Sequence, residues 1–194
     1  MQYVETLFED SHYQLWVGTR AGLLLYNSRK ETLTPVKDDE SQTLKLSRST
    51  LMEIIELPTG ELVAGSMAGI YVIDPITHKY TTITPDPSKP HELKSAHVES
   101  VLLGENNTIW FGTEAGLEKL NWATKSFTFY PINYENPDSA ADANIIDMAS
   151  DHSGNLWIAT RHGLVHFDQK TAQQKRYLHD QTNKYSVSDQ QTTL

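Results

Sequence analysis

One short stretch recurs four times at a fixed interval. Gly154-Asn155-Leu156-Trp157-Ile158-Ala159-Thr160-Arg161-His162-Gly163-Leu164 has near-copies at Gln14 to Leu23, Gly60 to Ile70 and Thr108 to Leu117. The second glycine of each copy falls at Gly22, Gly69, Gly116 and Gly163, three successive steps of 47 residues with no insertion or deletion. A period of roughly 40–50 residues marks propellers and related arrays, in which each repeat is one supersecondary unit that buries its apolar face only against its neighbours.

The motif itself reads as strand, turn, strand. In Leu15-Trp16-Val17-Gly18-Thr19 the side chains alternate faces, and both faces are apolar. A strand of that kind lies inside a stack of sheets, and the pattern returns as Ile109-Trp110-Phe111-Gly112-Thr113 and Leu156-Trp157-Ile158-Ala159-Thr160. The tryptophans are read as packing, with the small residue two positions on leaving room beside the ring. In the second copy Val63 stands at the Trp position and Ala64 where the others have Val, Phe or Ile, so that repeat must fill its volume differently. Thr19-Arg20-Ala21-Gly22-Leu23 is hairpin chemistry, read as a three-residue loop ending in a glycine at positive φ.

Each period divides into four short strands. The first repeat gives Tyr3 to Phe8, Leu15 to Thr19, Leu23 to Tyr26 and Glu31 to Val36, and the second Leu51 to Leu57, Glu61 to Ser66, Ile70 to Ile73 and Tyr80 to Thr84. The third runs Val98 to Leu103, Thr108 to Thr113, Leu117 to Leu120 and Phe127 to Tyr130, and the fourth Ile145 to Ala149, Leu156 to Thr160, Leu164 to Phe167 and Gln174 to Leu178. Pro35, Pro85 and Pro131 sit in or just past the fourth strand, which places it at a sheet edge. The expected fold is all-β, a β-propeller of four consecutive four-stranded antiparallel blades at approximately 3–36, 51–84, 98–130 and 145–178, forming a segment of a larger propeller. Residues 186–194 resemble the entry to an earlier blade and read as the start of a fifth. Connectors at Lys37 to Arg48, Pro85 to Ser95, Pro131 to Ala143 and His179 to Asp189 are polar and read as surface loops.

Composition removes several classes of function. Sixteen Lys and Arg against twenty-five Asp and Glu give a net charge of −9 with no basic cluster, which argues against attraction to nucleic acid or to an anionic membrane. No cysteine is present, which excludes a disulfide framework and a thiol nucleophile. There is no apolar run of about 18 residues, and none of signal-peptide type after Met1, so no membrane contact is expected of these residues themselves.

The stretch Gly154 to Leu164, preceded by Ile146 to Asp151, resembles the two-component regulator propeller repeat, and the resemblance covers all four copies. Trp16 and Trp110 with Thr19 and Thr113 fit that motif, whereas Val63 and Ser66 replace its Trp and Thr, and Ala159 its Gly. The resemblance implies a place in the extracytoplasmic, periplasmic sensor region of a bacterial histidine kinase, hybrid kinase or related inner-membrane receptor, where many such propellers are implicated in detecting glycans or other nutrients. The family motif is structural and carries over no catalytic or ligand residues. A kinase, cyclase or receiver segment is absent from these residues.

The remaining polar motifs read blandly. His162 and His166 stand four apart, but Gly163 and the alternating Leu164, Val165 and Phe167 place them on a turn and strand, so helical metal-ligand spacing does not apply. Asp38-Asp39-Glu40 lacks the spacing of a calcium loop, and Asn106-Asn107-Thr108 is what a hairpin turn wants as well as a glycosylation sequon. No cofactor, metal site or catalytic centre is nominated. Three functions of different class fit: a ligand-sensing receptor segment, favoured; a protein-interaction scaffold; and, disfavoured, a carbohydrate-active propeller enzyme, which would need convergent carboxylates. The remaining blades of a longer receptor, or self-association, are the expected partners besides a glycan or other small molecule. An isolated chain is expected either to close as a small propeller or to self-associate.

In a four-stranded meander the turn between strands two and three and the connector to the next repeat share one end of the blade. That end carries the pairs Arg20-Ala21, Met67-Ala68, Glu114-Ala115 and Arg161-His162. Charge on an otherwise repetitive turn nominates Arg20, Glu114, Arg161 and His162 as a polar ligand- or partner-binding surface, since a guanidinium suits bidentate recognition of carboxylates.

Overall fold

The computed structural model describes residues 3–132 and 143–187. Most of the connector Pro131 to Ala143, and residues 188–194 of the proposed fifth-blade start, lie outside the described residues. Among the described residues sixteen strands form four antiparallel sheets. Blade one contains β1 (Val4–Glu9), β2 (Leu15–Thr19), β3 (Gly22–Asn27) and β4 (Thr32–Pro35); blade two contains β5 (Leu51–Glu56), β6 (Leu62–Ser66), β7 (Gly69–Ile73) and β8 (Tyr80–Ile83). Blade three contains β9 (Val98–Leu103), β10 (Thr108–Thr113), β11 (Gly116–Asn121) and β12 (Ser126–Tyr130); blade four contains β13 (Ile145–Ser150), β14 (Leu156–Thr160), β15 (Gly163–Phe167) and β16 (Gln174–Tyr177). Each sheet keeps chain order, so the fourth strand is an edge and tolerates Pro35. Among the described residues no helix is long and apolar enough to cross a membrane.

The first strands pack in succession, β1 against β5, β5 against β9 and β9 against β13, as inner strands about an axis do. Every blade has a trailing face, carrying Trp16 and Gly18 in blade one, and a leading face, carrying Leu51 and Ile54 in blade two. The trailing residues Trp16, Leu23 and Val36 join the leading residues Leu51, Ile54, Leu62 and Tyr71 in one core. The same composition recurs between blades two and three and between blades three and four.

The small residue two positions after the tryptophan serves the neighbouring blade rather than the ring. A Cβ on Gly18, Gly65 or Gly112 would stand 3.0 Å from Leu51 Cβ, 2.8 Å from Val98 Cγ1 and 2.5 Å from Ile145 Cγ2 respectively. These glycines are therefore seats for the first residue of the next inner strand. The connectors are likewise more than surface loops, because Leu46 and Leu93, one period apart, are buried in the interblade cores.

Blade two resolves its missing tryptophan by pairing. Trp16 Nε1 donates to Asp10 Oδ2 at 2.8 Å, whereas one period on Leu57 and Val63 replace both partners with apolar side chains and are buried together. Ala64 pairs across the sheet with Tyr71, a large side chain fully buried in the same core. Asn106 and Asn107, at φ of 53° and 58°, form the β9–β10 turn in the left-handed region that asparagine tolerates.

Candidate functional site

The turn at the connector end is two residues long, not three. Thr19 pairs with Gly22, Ser66 with Gly69, Thr113 with Gly116 and Thr160 with Gly163, so the glycine is the first residue of strand three. Gly22, Gly69, Gly116 and Gly163 have φ of 107°, 136°, 138° and 127°. A hydroxyl latches each turn. Thr19 Oγ1 accepts from Ala21 N at 3.0 Å and donates to Gly22 O at 2.8 Å, and Ser66 makes the same two bonds to Ala68 N and Gly69 O. Thr113 and Thr160 repeat them with 115, 116, 162 and 163. Ser66 is thus a conservative replacement, since the latch needs only the hydroxyl.

The backbone N–H of the first turn residue then donates to the residue just before the inner strand: Arg20 to Tyr3 O, Met67 to Thr50 O, Glu114 to His97 O and Arg161 to Asn144 O, at 3.2–3.3 Å. This fixes where each variable side chain emerges. Arg20 ion-pairs through Nε with Glu5 and lays its guanidinium over the Tyr3 ring, 4.6 Å from the centroid. Such an exposed pair contributes about 0–1 kcal/mol and leaves the guanidinium available. Arg161 and His162 are exposed, and among the described residues the Arg161 side chain has no hydrogen-bond or ion-pair partner. Arg20, Glu114, Arg161 and His162 therefore share one end of the array but belong to blades one, three and four, and Met67 stands between Arg20 and Glu114 in the series.

Blade three concentrates polar groups around Glu114. The His97 ring lies between two carboxylates, with Nδ1 3.3 Å from Glu114 Oε2 and Nε2 2.9 Å from Glu99 Oε1, the latter without hydrogen-bond alignment. Ser95 Oγ donates to Glu114 Oε1 at 3.4 Å and accepts from His97 N at 3.1 Å. Both ring nitrogens face carboxylates, so the imidazole is not placed as a base toward the Ser95 hydroxyl. Beneath them Glu118 is fully buried and accepts from Lys94 N at 2.9 Å and Ser95 N at 3.2 Å. Burial pushes its carboxyl up to about 7 against the lowering effect of those donors. Tyr71, at the equivalent position of blade two, uses its hydroxyl the same way, bonding Ser49 Oγ and Lys45 O. One position in the repeat thus anchors the incoming connector.

On the inner strands Glu53 Oε2 accepts from Val101 N at 2.6 Å, tying blade two to blade three. Burial raises the Glu53 carboxyl, the bond from Val101 N lowers it, and the Asp147 charge adds to the rise. A separate cleft of about 650 Å³ opens at the outer rim between blades one and two, with Leu25, Pro35, Val36, Asp39, His78 and Lys79 in its wall. None of the four sequence-nominated residues lines it, and only the 3D packing of the connector against the β7–β8 turn creates it. Among the described residues no three His, Asp or Glu side chains are arranged to hold a metal ion.

The family model described as "Two component regulator propeller" matches residues 139–162. The extracellular domain of the hybrid two component system BT4673 of B. thetaiotaomicron superposes with a TM-score of 0.71 at 25% identity, over 91% of this chain and 22% of that one. The corresponding domain of BT3049 gives 0.71 at 21% identity, over 89% and 23%. A catalytically inactive virginiamycin B lyase from Staphylococcus aureus shares the fold at 0.67 and 16% identity, over 91% and 55%. The chain therefore spans about a fifth of the length of the two-component domains it resembles. No curated protein matches it.

Proposed function

We propose that this chain is part of the ligand-sensing extracytoplasmic propeller of a bacterial two-component receptor, a hybrid histidine kinase or a related transmembrane sensor. The observation that supports this most is the superposition of 91% of the chain on the extracellular domain of a hybrid two component system, with the repeat match at 139–162 beside it. The connector end offers what recognition of a polar small molecule such as a glycan uses, namely Arg20, Glu114, Arg161 and His162 on turns whose backbones are held by the hydroxyl latch. Arginine and carboxylate side chains there supply both donors and acceptors, and the rigid sheets hold them at low entropic cost.

Replacing Arg20 and Arg161 together with alanine in the full-length receptor is expected to abolish ligand-dependent output in a transcriptional reporter. The thermal midpoint of the 194-residue segment should barely move, because both side chains are exposed. Undiminished signalling by the double variant would remove these residues from the site.

A further inference from the structure

The cleft between blades one and two is framed by a tyrosine that the next repeat lacks. Tyr80, buried at the start of β8, accepts from Asp39 N at 3.2 Å and donates its hydroxyl to Leu44 O at 3.1 Å. One period on, Phe127 has no hydroxyl and donates its backbone N–H to His91 O at 2.8 Å, His91 being the counterpart of Leu44. The second connector thus bonds straight to the sheet edge, whereas the first is bonded at the far end of a tyrosine side chain. The space left there is about 650 Å³, within the usual range of small-molecule sites.

The wall separates groups that are already bonded from groups that are not. Asp38 accepts from Ser47 N and Oγ at 3.0 and 2.6 Å, Asp39 from Ser41 N and Oγ at 2.8 and 2.6 Å, and Glu40 from Lys45 Nζ at 3.2 Å. The Asp39 carboxyl is held low by its Ser41 bonds, with the Lys79 and Lys45 charges adding at a distance. Lys37 and Lys79 also line the cleft, and among the described residues neither ammonium has a hydrogen-bond or ion-pair partner. Lys37, Lys45 and Lys79 balance Asp38, Asp39 and Glu40, three charges against three, so an incoming anion meets no net repulsion. The two free lysines are not features of the repeat. The counterparts of Lys37 are Thr84, Pro131 and Leu178, and those of Lys79 are Thr32, Ser126 and Gln173, so the fold does not require them.

We propose that this cleft binds a small hydroxylated organic anion, its acidic group held by Lys37 and Lys79 and its C–H surface lying on Leu25, Pro35 and Val36. Asp39 uses only Oδ1 and Glu40 only Oε2 in the bonds above, which leaves Oδ2 and Oε1 as acceptors for the hydroxyls of the ligand. The site is separate from the connector-end turns, since none of Arg20, Glu114, Arg161 and His162 lines it, and it stands or falls independently of them.

Methyl-resolved NMR of the 194-residue chain, titrated with citrate and separately with the disaccharide digalacturonate, reads the site directly. At least one of these anions should move the Leu25 and Val36 methyl signals saturably. A response to citrate alone identifies free hydroxy acids as the ligands, a response to digalacturonate alone acidic saccharides, and a response to both the chemistry that they share. Cellobiose, a disaccharide without an acidic group, should produce no saturable shift. Replacing Lys37 and Lys79 together with alanine should weaken binding about tenfold and leave the circular dichroism unchanged, because both side chains are exposed. No saturable shift with either anion, a response to cellobiose equal to that of digalacturonate, or undiminished binding by the folded double variant overturns the proposal. The cellobiose comparison needs wild type alone and so does not depend on how the variant folds.

Discussion

Trp110→Ala is expected to destabilise the protein by about 3–5 kcal/mol, and Trp157→Ala by about 1 kcal/mol, the range of an ordinary partly exposed substitution. The two residues occupy the same position of the repeat, so sequence alone assigns them the same cost. Their surroundings differ. Trp110 is fully buried in the interface with blade four, edge-on to Phe167 at 5.7 Å and tilted against Tyr130 at 5.7 Å. Removing it leaves a cavity that two sheets cannot collapse to fill, because both are held by their own ladders. Trp157 is only half-buried, and among the described residues no blade packs on its outer side, so in this 194-residue segment truncation there opens onto solvent. Its indole N–H is not at issue in the comparison, since even Trp110 Nε1 lacks a hydrogen-bond partner. Urea unfolding of both variants at a concentration where the chain is monomeric decides it. Equal losses would mean that the blade-four face is packed as tightly as the internal ones.

Glu118 should make the protein less stable as pH rises from about 4.5 to about 7. Its carboxyl titrates near 7 when folded and near 4.5 when unfolded, so between those values the folded state binds the extra proton. The neutral acid suits its buried position, and ionisation there is opposed by burial although Lys94 and Ser95 donate to it. Stability contributed by the proton is complete below 4.5 and lost by 7, a difference of roughly 3 kcal/mol at about 1.4 kcal/mol per pKa unit. Glu118→Gln keeps an acceptor for the two N–H groups and removes the ionisation. It should match wild type near pH 5 and exceed it near pH 8, leaving only the smaller slope that Glu53 adds in the same direction. The aspartates act in another window. Asp10, for example, is raised by burial but lowered further by bonds from Trp16, Gln14 and His12. Its net depression below 3.8 stabilises the fold above that value, and the stability is lost as pH falls through the lower folded value. Thermal midpoints of wild type and variant at pH 5 and 8 provide the check. Parallel profiles would show that Glu118 is ionised in the fold at neutral pH.

The architecture was legible because the repeat has no insertions. A glycine at 22, 69, 116 and 163 and tryptophans at a constant offset define strands, turns and edges without reference to anything distant. What escaped the sequence is what one blade does for the next. Gly18 reads as space for its own tryptophan because nothing local reveals that Leu51 will sit on it. Leu46 and Leu93 lie in connectors that read as polar surface loops, although their 47-residue separation was a signal that they serve the repeat. The threonine latch was equally available, since Ser66 preserves the hydroxyl where Val63 abandons the ring. Of the nominated surface, the shared end of Arg20, Glu114, Arg161 and His162 followed from meander topology alone. The cluster of Ser95, His97, Glu99 and Glu118 about Glu114 did not, because it joins a connector, an inner strand and a third strand that only folding brings together.

The succession of inner strands, each packed on the next, also sets how the molecule bears load. Among the described residues blades one and four each pack on one neighbour and blades two and three on two, so in the isolated 194-residue segment resistance to a pull is lowest at the outer blades and the array should come apart one sheet at a time. Each release frees 47 residues, which at about 3.3–3.6 Å per residue is roughly 160 Å of slack. Stretched between two handles, the chain should give a sawtooth of force peaks at that spacing, and a single rupture spanning the whole length would show that the four sheets yield as one body. A tether built this way absorbs extension in fixed increments while the blades still folded keep their shape.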